Sequence, residues 1–484
     1  MRNPLIQSKQ PHSLPDFPGI DPRHVIPAID SLLADYRLGM EKWLENGAEP
    51  DWSIVESEVA WADGLHRAWS PFSNLISVAD NEELRMAFNE GLENLTEHES
   101  WRQQNRGIYG IYRKLKDSPG FDRLTPVQQR IIDLELRDFH LAGVDLDPAD
   151  QETYRELVMR LSKLGSKFSE NLLDATRAWT RHFEDSTPLA GLPPAELKQL
   201  EGIARSHGKE GWMVDLSAPS FQAVMTYAED REFRKEIYTA YVTRASDQGP
   251  MGGQWDNSPL IDEILSLRHR LARLLGFDNY VQYALESRMA DSPAAVLSFL
   301  NSLAERAAGA AKQQLAGLED FTRQNGADTP LAAWDIGYWS ERYRQAELQL
   351  SDEQLKPYFP LTPMLEALLH TSQNLFGVRM RKDESVVTWH PDVRFYWLED
   401  REGQCFAGLF MDLFARKDKR GGAWMDVCQS RRKGASGLQL PVAYLTCNFA
   451  PPVGDQPSLL THDDLQTLFH EFGHCLHHLL TVID

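Results

Sequence analysis

A helical hydrophobic period, sustained over most of its length, constrains this chain more than any other feature. Between about residues 150 and 184, Leu157, Leu161, Leu164, Phe168 and Leu172 recur at spacings of three and four. That spacing puts them on one stripe of an α-helix. The same period follows Thr125-Pro126, a cap and first-turn proline, through Ile131, Ile132, Leu134, Leu136 and Phe139. It returns after Asp291-Ser292-Pro293, where Val296, Phe299, Leu300, Leu303 and Ala307 form the expected core face. Residues 212–216 read as a short strand within this helical run, and no fixed-period repeat indicates a solenoid.

At 484 residues the chain exceeds one ordinary core and fits two or three domains. The texture changes after Gly377. Val393, Phe395 and Trp397 alternate with Arg394, Tyr396 and Leu398, the period of a strand. Residues 399–403 read as a turn, 405–413 as a returning strand and 439–449 as a further one. The expected fold class is therefore mainly α, with a small antiparallel sheet late in the chain. A soft boundary near 375 separates a helical region, 1–375, from a second unit, 376–484.

Fifty Lys and Arg stand against 71 Asp and Glu, a net charge of −21. That field repels phosphate backbones and anionic bilayers, so neither nucleic acid nor membrane is expected as a partner. No stretch reaches the 18 or so uninterrupted apolar residues that would span a bilayer, and the first residues contain no apolar signal core. The four cysteines form no C-x-x-C pair, which fits a reducing compartment and predicts a cytoplasmic protein.

The chemistry concentrates near the end. Thr461 and Asp464 resemble a capping box, and the helix that follows contains His470-Glu471-Phe472-Gly473-His474, an H-E-x-x-H motif. Residues i and i+4 share a face one turn apart, so two imidazoles there can converge on one zinc ion. Glu471 adjoins the first of them and is placed to act as general base on a water activated by the metal. Leu465, Leu468, Phe472, Leu476 and Leu479 fall on the opposite side, which anchors the helix and turns the histidines toward a cleft.

Residues 459–480 resemble the active-site segment of the thimet oligopeptidase family of zinc metallopeptidases. So do residues 392–396, Gly408 with Asp412 and Arg416, residues 440–442, Trp334-Asp335 with Tyr338, residues 274–277 with 288–290, and Tyr241 with Arg244 and Ser246. The resemblance covers at least 210–484. It implies a two-lobed, zincin-like helical fold around a deep channel, and a monomeric zinc endopeptidase that hydrolyses short unfolded peptides. It makes His470 and His474 zinc ligands and Glu471 the base. The family's third ligand, a Glu some 25 residues beyond the second histidine, would fall past residue 484. The chain is accordingly expected to be an N-terminal portion of a longer enzyme, with weak zinc binding and impaired activity. An exopeptidase of another H-E-x-x-H family and a non-catalytic helical peptide-binding protein are the alternatives.

Several residues admit two readings. His477 and His478 either support the metal ligands or simply pack on the helix. His390 either faces the cleft or makes an ordinary hydrogen bond at a strand entry. Cys475 points about 100° from His474 and reads as packing. Residues 416–433 carry seven basic side chains against Asp418 and Asp426; they form a solvated loop or dock a substrate carboxylate. The strands 393–398 and 405–413 either lend a free edge to an extended peptide or are covered.

Overall fold

The computed structural model describes residues 3–6, 13–46, 49–434, 437–454 and 456–483. Six helices open the chain: α1 (Val25–Asn46), α2 (Trp52–Val78), α3 (Glu82–Gln103), α4 (Arg106–Asp117), α5 (Pro126–Leu141) and α6 (Pro148–Ala178). Local chemistry sets their starts. Thr125 Oγ1 accepts from the Gln128 amide at 3.3 Å while Gln128 Oε1 accepts from the Thr125 amide at 2.9 Å, a reciprocal cap. Asp147 Oδ1 accepts from the amides of Ala149 and Asp150, both at 3.0 Å, ahead of α6. The first five helices share a core that includes Tyr36, Phe72, Ile108 and Phe139.

The periodic stretch after residue 150 ends as a helix at Ala178, because Thr180–Phe183 (β1) pairs antiparallel with Trp212–Asp215 (β2). Around that hairpin lie α7 (Pro194–Ser206), α8 (Ala218–Tyr227) and α9 (Arg231–Val242), with Leu200, Val214, Val224 and Ile237 in their core. Next come α10 (Ser258–Leu274), α11 (Tyr280–Leu285), α12 (Pro293–Gln324), α13 (Ala333–Leu348), α14 (Asp352–Leu355) and α15 (Leu361–Phe376). Ser292 caps α12 through the Ala295 amide at 3.1 Å. The expected core face of α12 is not buried, however: Phe299 is 64% exposed and Leu300 52%. Periodicity marks a face for burial, but among the described residues α12 buries only Leu318 and Thr322.

Beyond Gly377, whose φ of +73° ends α15 in the left-handed region that glycine tolerates, the chain turns to strands. These are β3 (Arg379–Lys382), β4 (Arg394–Glu399), β5 (Cys405–Phe414), β6 (Trp424–Gln429), β7 (Arg432–Gly434), β8 (Gly437–Gln439) and β9 (Val442–Phe449). The hairpin between β4 and β5 forms where expected. Asp400 Oδ1 gathers the amides of Glu402 and Gln404 at 3.0 and 2.8 Å.

The main sheet runs β3-β4-β5-β9-β6. It is mixed rather than wholly antiparallel, since β5 and β9 pair parallel. The excursion between them places β6 outermost, antiparallel to β9, and β9 slots into the centre beside β5. Neither 393–398 nor 405–413 therefore offers a free edge; the outer strands are β3 and β6. One face of the sheet, through Leu409, Met411, Ala443 and Leu445, packs on α15 and on the last helix, α16 (His462–Leu479). The other, through Phe395, Phe410 and Tyr444, packs on Phe17 and on Leu75 of α2.

The C-terminal end of α2 is tied to β6 and to the loop that leads into it. Ser70 Oγ donates to Val427 O at 2.7 Å, the Arg420 amide to Ser77 O at 2.8 Å and the Asp80 amide to Asp418 O at 2.9 Å.

Candidate metal centre

Helix α16 begins with a reciprocal cap. Thr461 Oγ1 accepts from the Asp464 amide, and Asp464 Oδ2 from the Thr461 amide, both at 3.0 Å. Asp463 and Asp464 in the first turn oppose the positive end of the helix dipole. Leu468, Phe472, Cys475, Leu476 and Leu479 are buried against the sheet. At about 1.5–3 kcal/mol for each fully buried large apolar side chain, this face anchors the helix.

His470 and His474 lie on the side away from that anchor, both exposed. Their Nε2 atoms are 3.1 Å apart and their rings stand at 82° with centroids 4.8 Å apart. Two zinc–nitrogen bonds of about 2.0–2.1 Å at a tetrahedral angle separate the nitrogens by about 3.3 Å. The pair thus fits two positions of one zinc ion. Among the described residues no group of three or more His, Cys, Asp or Glu side chains converges to complete such a site.

Glu471 and His474 line a cavity of about 820 Å³ between α16 and β6, together with Trp424, Met425, Arg431 and His477. Strand β6 borders it as an outer strand. At Val427 its backbone is already engaged, the carbonyl by Ser70 and the amide by Asp426 Oδ1 at 2.8 Å. Backbone groups alternate sides along an antiparallel strand, so Met425, two residues earlier, turns its amide and carbonyl the same way.

The doubtful residues separate cleanly. His478 is half-buried and its Nε2 lies 3.1 Å from Gln429 O, which ties α16 to the end of β6; burial lowers its pKa and keeps the ring neutral. His477 is exposed in the cavity wall. Cys475 is buried, with Sγ toward Tyr444 O. His390 lines a different cavity, of about 660 Å³, and its Nδ1 accepts from the Asp392 amide at 3.3 Å.

The basic segment is not one loop. Arg416 and Lys419 turn inward onto Asp412, and Arg431 stands in the wall of the cavity beside Glu471. The roles of Trp424 and Met425 were not visible in the sequence; only the position of β6 at the sheet edge exposes them.

Paired imidazoles and a carboxylate on a helix that borders a cleft carry the H-E-x-x-H pattern. Residues 224–484 match peptidase family M3, and residues 29–151 match the neurolysin/thimet oligopeptidase N-terminal domain. The chain is 44% identical over 486 residues to oligopeptidase A of Salmonella typhimurium, covering 100% of this chain and 71% of that protein. Oligopeptidase A of Escherichia coli matches at the same 44%, over the same shares. Dipeptidyl carboxypeptidase of Salmonella typhimurium is 31% identical over 487 residues, 99% of this chain and 70% of that protein. The chain belongs to peptidase family M3 and is a metalloendopeptidase, with oligopeptidase A among its relatives. No described helix is long and apolar enough to cross a membrane.

Proposed function

We propose that His470 and His474 hold one zinc ion and that Glu471 is the general base in hydrolysis of internal bonds of short unfolded peptides. The observation that supports this most directly is the 3.1 Å approach of the two Nε2 atoms, with Glu471 in the wall of the adjoining cavity. Bound zinc supplies Lewis-acid polarisation of the scissile carbonyl and lowers the pKa of water. The carboxylate of Glu471 takes a proton from the attacking water and returns it to the departing amine nitrogen. The outer-strand backbone at Met425 pairs with an extended peptide, independent of side-chain identity, and the Arg431 guanidinium attracts a carboxylate of the substrate.

With two imidazoles as the donors that the described residues bring together, residues 1–484 by themselves hold zinc weakly and turn over little peptide. The polypeptide acts as a cytoplasmic monomer, a reading supported by its charge of −21 and by 36% identity to the probable cytosolic oligopeptidase A of Arabidopsis thaliana. The helical part up to residue 375 forms one lobe, and residues 376–484 begin the catalytic unit.

Zinc titration by calorimetry, paired with a quenched-fluorescent peptide assay under excess zinc, tests the assignment. His470→Ala and His474→Ala abolish zinc uptake, whereas Glu471→Gln keeps it and loses turnover. Zinc uptake unchanged in both histidine variants sinks the ligand assignment. Mapping cleaved bonds by mass spectrometry separates internal cleavage from the dipeptide release that the dipeptidyl carboxypeptidase relative's name describes. The higher identity to oligopeptidase A favours internal cleavage.

A further inference from the structure

The N-terminal bundle contains a further cavity, of about 610 Å³, whose lining residues all fall between Tyr36 and Val158. It is built from α1 to α6 and shares no residue with the cleft beside α16. Its volume is that of a small-molecule site. We propose that it binds a primary ammonium group carried on an apolar body.

The charge of the lining comes first. Three carboxylates, Glu58, Glu99 and Glu135, face one guanidinium, Arg102. Arg102 is spent: its Nε donates to Glu58 Oε1 at 2.6 Å and its Nη2 to Glu135 Oε2 at 2.5 Å. Glu58 is satisfied as well, accepting from Tyr36 Oη at 2.7 Å and Tyr112 Oη at 2.6 Å. Glu99 is different. It reaches Arg102 Nη1 only at 3.8 Å and its side chain is 53% exposed. The cavity therefore carries an excess of negative charge with one carboxylate at its rim poorly compensated.

His98 is the independent sign of a ligand. It lines the cavity, is 3% exposed and, among the described residues, has no hydrogen-bond partner at either ring nitrogen. Tyr36 meets its ring edge-on at 4.6 Å and Trp101 stacks on it at 5.4 Å, so the ring is held in place. Burial, followed by Arg37 and Arg102, lowers its pKa to about 4, so at neutral pH it keeps one lone pair for an N–H donor. Buried ring nitrogens are ordinarily paired, and an unpaired one calls for an explanation.

An ammonium group supplies three N–H donors, which match the two kinds of acceptor in this lining, the Glu99 carboxylate and the His98 ring nitrogen. Leu65, Trp69, Leu92, Leu95 and Val158 offer apolar wall for the rest of the molecule, and an aromatic face adds attraction for a cation. A free carboxylate on the ligand would meet Glu58 and Glu135 and is disfavoured. The same chemistry occurs in free arylalkylamines and in the amino terminus of a short apolar peptide.

Calorimetric titration of the 484-residue polypeptide with phenethylammonium chloride tests the site, with 2-phenylethanol and 3-phenylpropionate as the uncharged and anionic probes. One saturable site is expected for the ammonium, binding at least about tenfold tighter than the alcohol, with no binding of the acid. Glu99→Gln, a change at the exposed rim, weakens the ammonium about tenfold. His98→Phe, which keeps the stacked ring and removes its nitrogens, also weakens it, with far-UV circular dichroism confirming the fold. The double variant His470→Ala/His474→Ala leaves binding unchanged.

Phenylalanyl-leucinamide and its N-acetyl form separate the sources. Binding of the first but not the second assigns the site to peptide amino termini; binding of the amine alone assigns it to free amines. Equal affinity for the ammonium and the alcohol, unchanged affinity in Glu99→Gln, or loss in the histidine double variant overturns the proposal.

Discussion

Two polar constellations flank the same central strands, and they are built on opposite principles. On the face away from α16, Asp412 is buried and saturated. Arg416 donates to it through Nη1 and Nη2 at 2.7 and 2.6 Å, Trp389 Nε1 at 2.9 Å and Lys419 Nζ at 2.8 Å. Lys419 completes its own shell with the carbonyls of Asp412, Phe414 and Cys447, at 2.9, 2.9 and 2.6 Å. Burial opposes the Asp412 charge, yet the two cations hold its pKa below the ordinary carboxylate range. On α16, by contrast, His470 and His474 are exposed and, among the described residues, hydrogen-bond only with each other. The first constellation has no valence left for a ligand, and the second has little else to do. Satisfied polar groups in a sheet are architecture; unsatisfied ones on an anchored helix are chemistry.

That contrast can be broken at either end. Glu471→Gln should produce the largest proportional change, lowering by about 10²–10⁴-fold what peptide turnover the polypeptide retains under excess zinc, with unfolding by urea unaltered. A parallel loss of stability would mean that α16 is structural on both faces. Asp412→Ala should do the reverse. It leaves Lys419 and Arg416 buried without their carboxylate, at a cost of about 3–5 kcal/mol in urea unfolding, while zinc uptake per folded molecule is retained.

Lys419 sharpens the point through pH. Burial outweighs its partners and lowers its pKa from 10.5 to about 8. Between those values the unfolded chain binds more protons at this group than the folded one, so its contribution to stability rises with pH and is lost as pH falls through 8. Wild-type stability should gain on that of Lys419→Met by up to about 1.4 kcal/mol per pH unit across that window, measured by urea unfolding at several pH values.

Thr461→Ala removes one cap of α16 and should cost about 1 kcal/mol. The smallest effect on stability belongs to the metal ligands themselves. In zinc-free buffer His470→Ala should shift the unfolding free energy by less than about 0.5 kcal/mol, as surface substitutions do.

Much of this was legible beforehand where the signal is local. The caps at Thr125, Ser292 and Thr461 depend on residues three positions away, and each forms. The anchored face of α16 follows from the phase of Leu468, Phe472, Leu476 and Leu479. What failed is non-local. The face of α12 was assigned to a core, yet Phe299 and Leu300 lie open, because a period of 3.6 names a face and not its partner. Likewise the alternation of 393–398 identifies a strand but not its neighbours, and both strands offered as edges lie inside the sheet. The segment 416–433 reads in sequence as a solvated loop or a dock for a carboxylate, whereas Lys419 is buried on Asp412 and Arg431 lines the cleft.

The sequence by itself determined the helix that carries His470, Glu471 and His474, because backbone geometry places residues i and i+4 on one side wherever such a helix forms. It determined the helical character of the first 375 residues for the same local reason. Only the tertiary structure decided that β6 borders the cavity beside His474, that Trp389 and the Cys447 carbonyl complete the shell of Asp412 and Lys419, and that His98 lines a cavity walled by residues from Tyr36 to Val158. Each of those depends on chain segments tens to hundreds of residues apart, brought together by burial of apolar surface, a force that has no direction along the sequence.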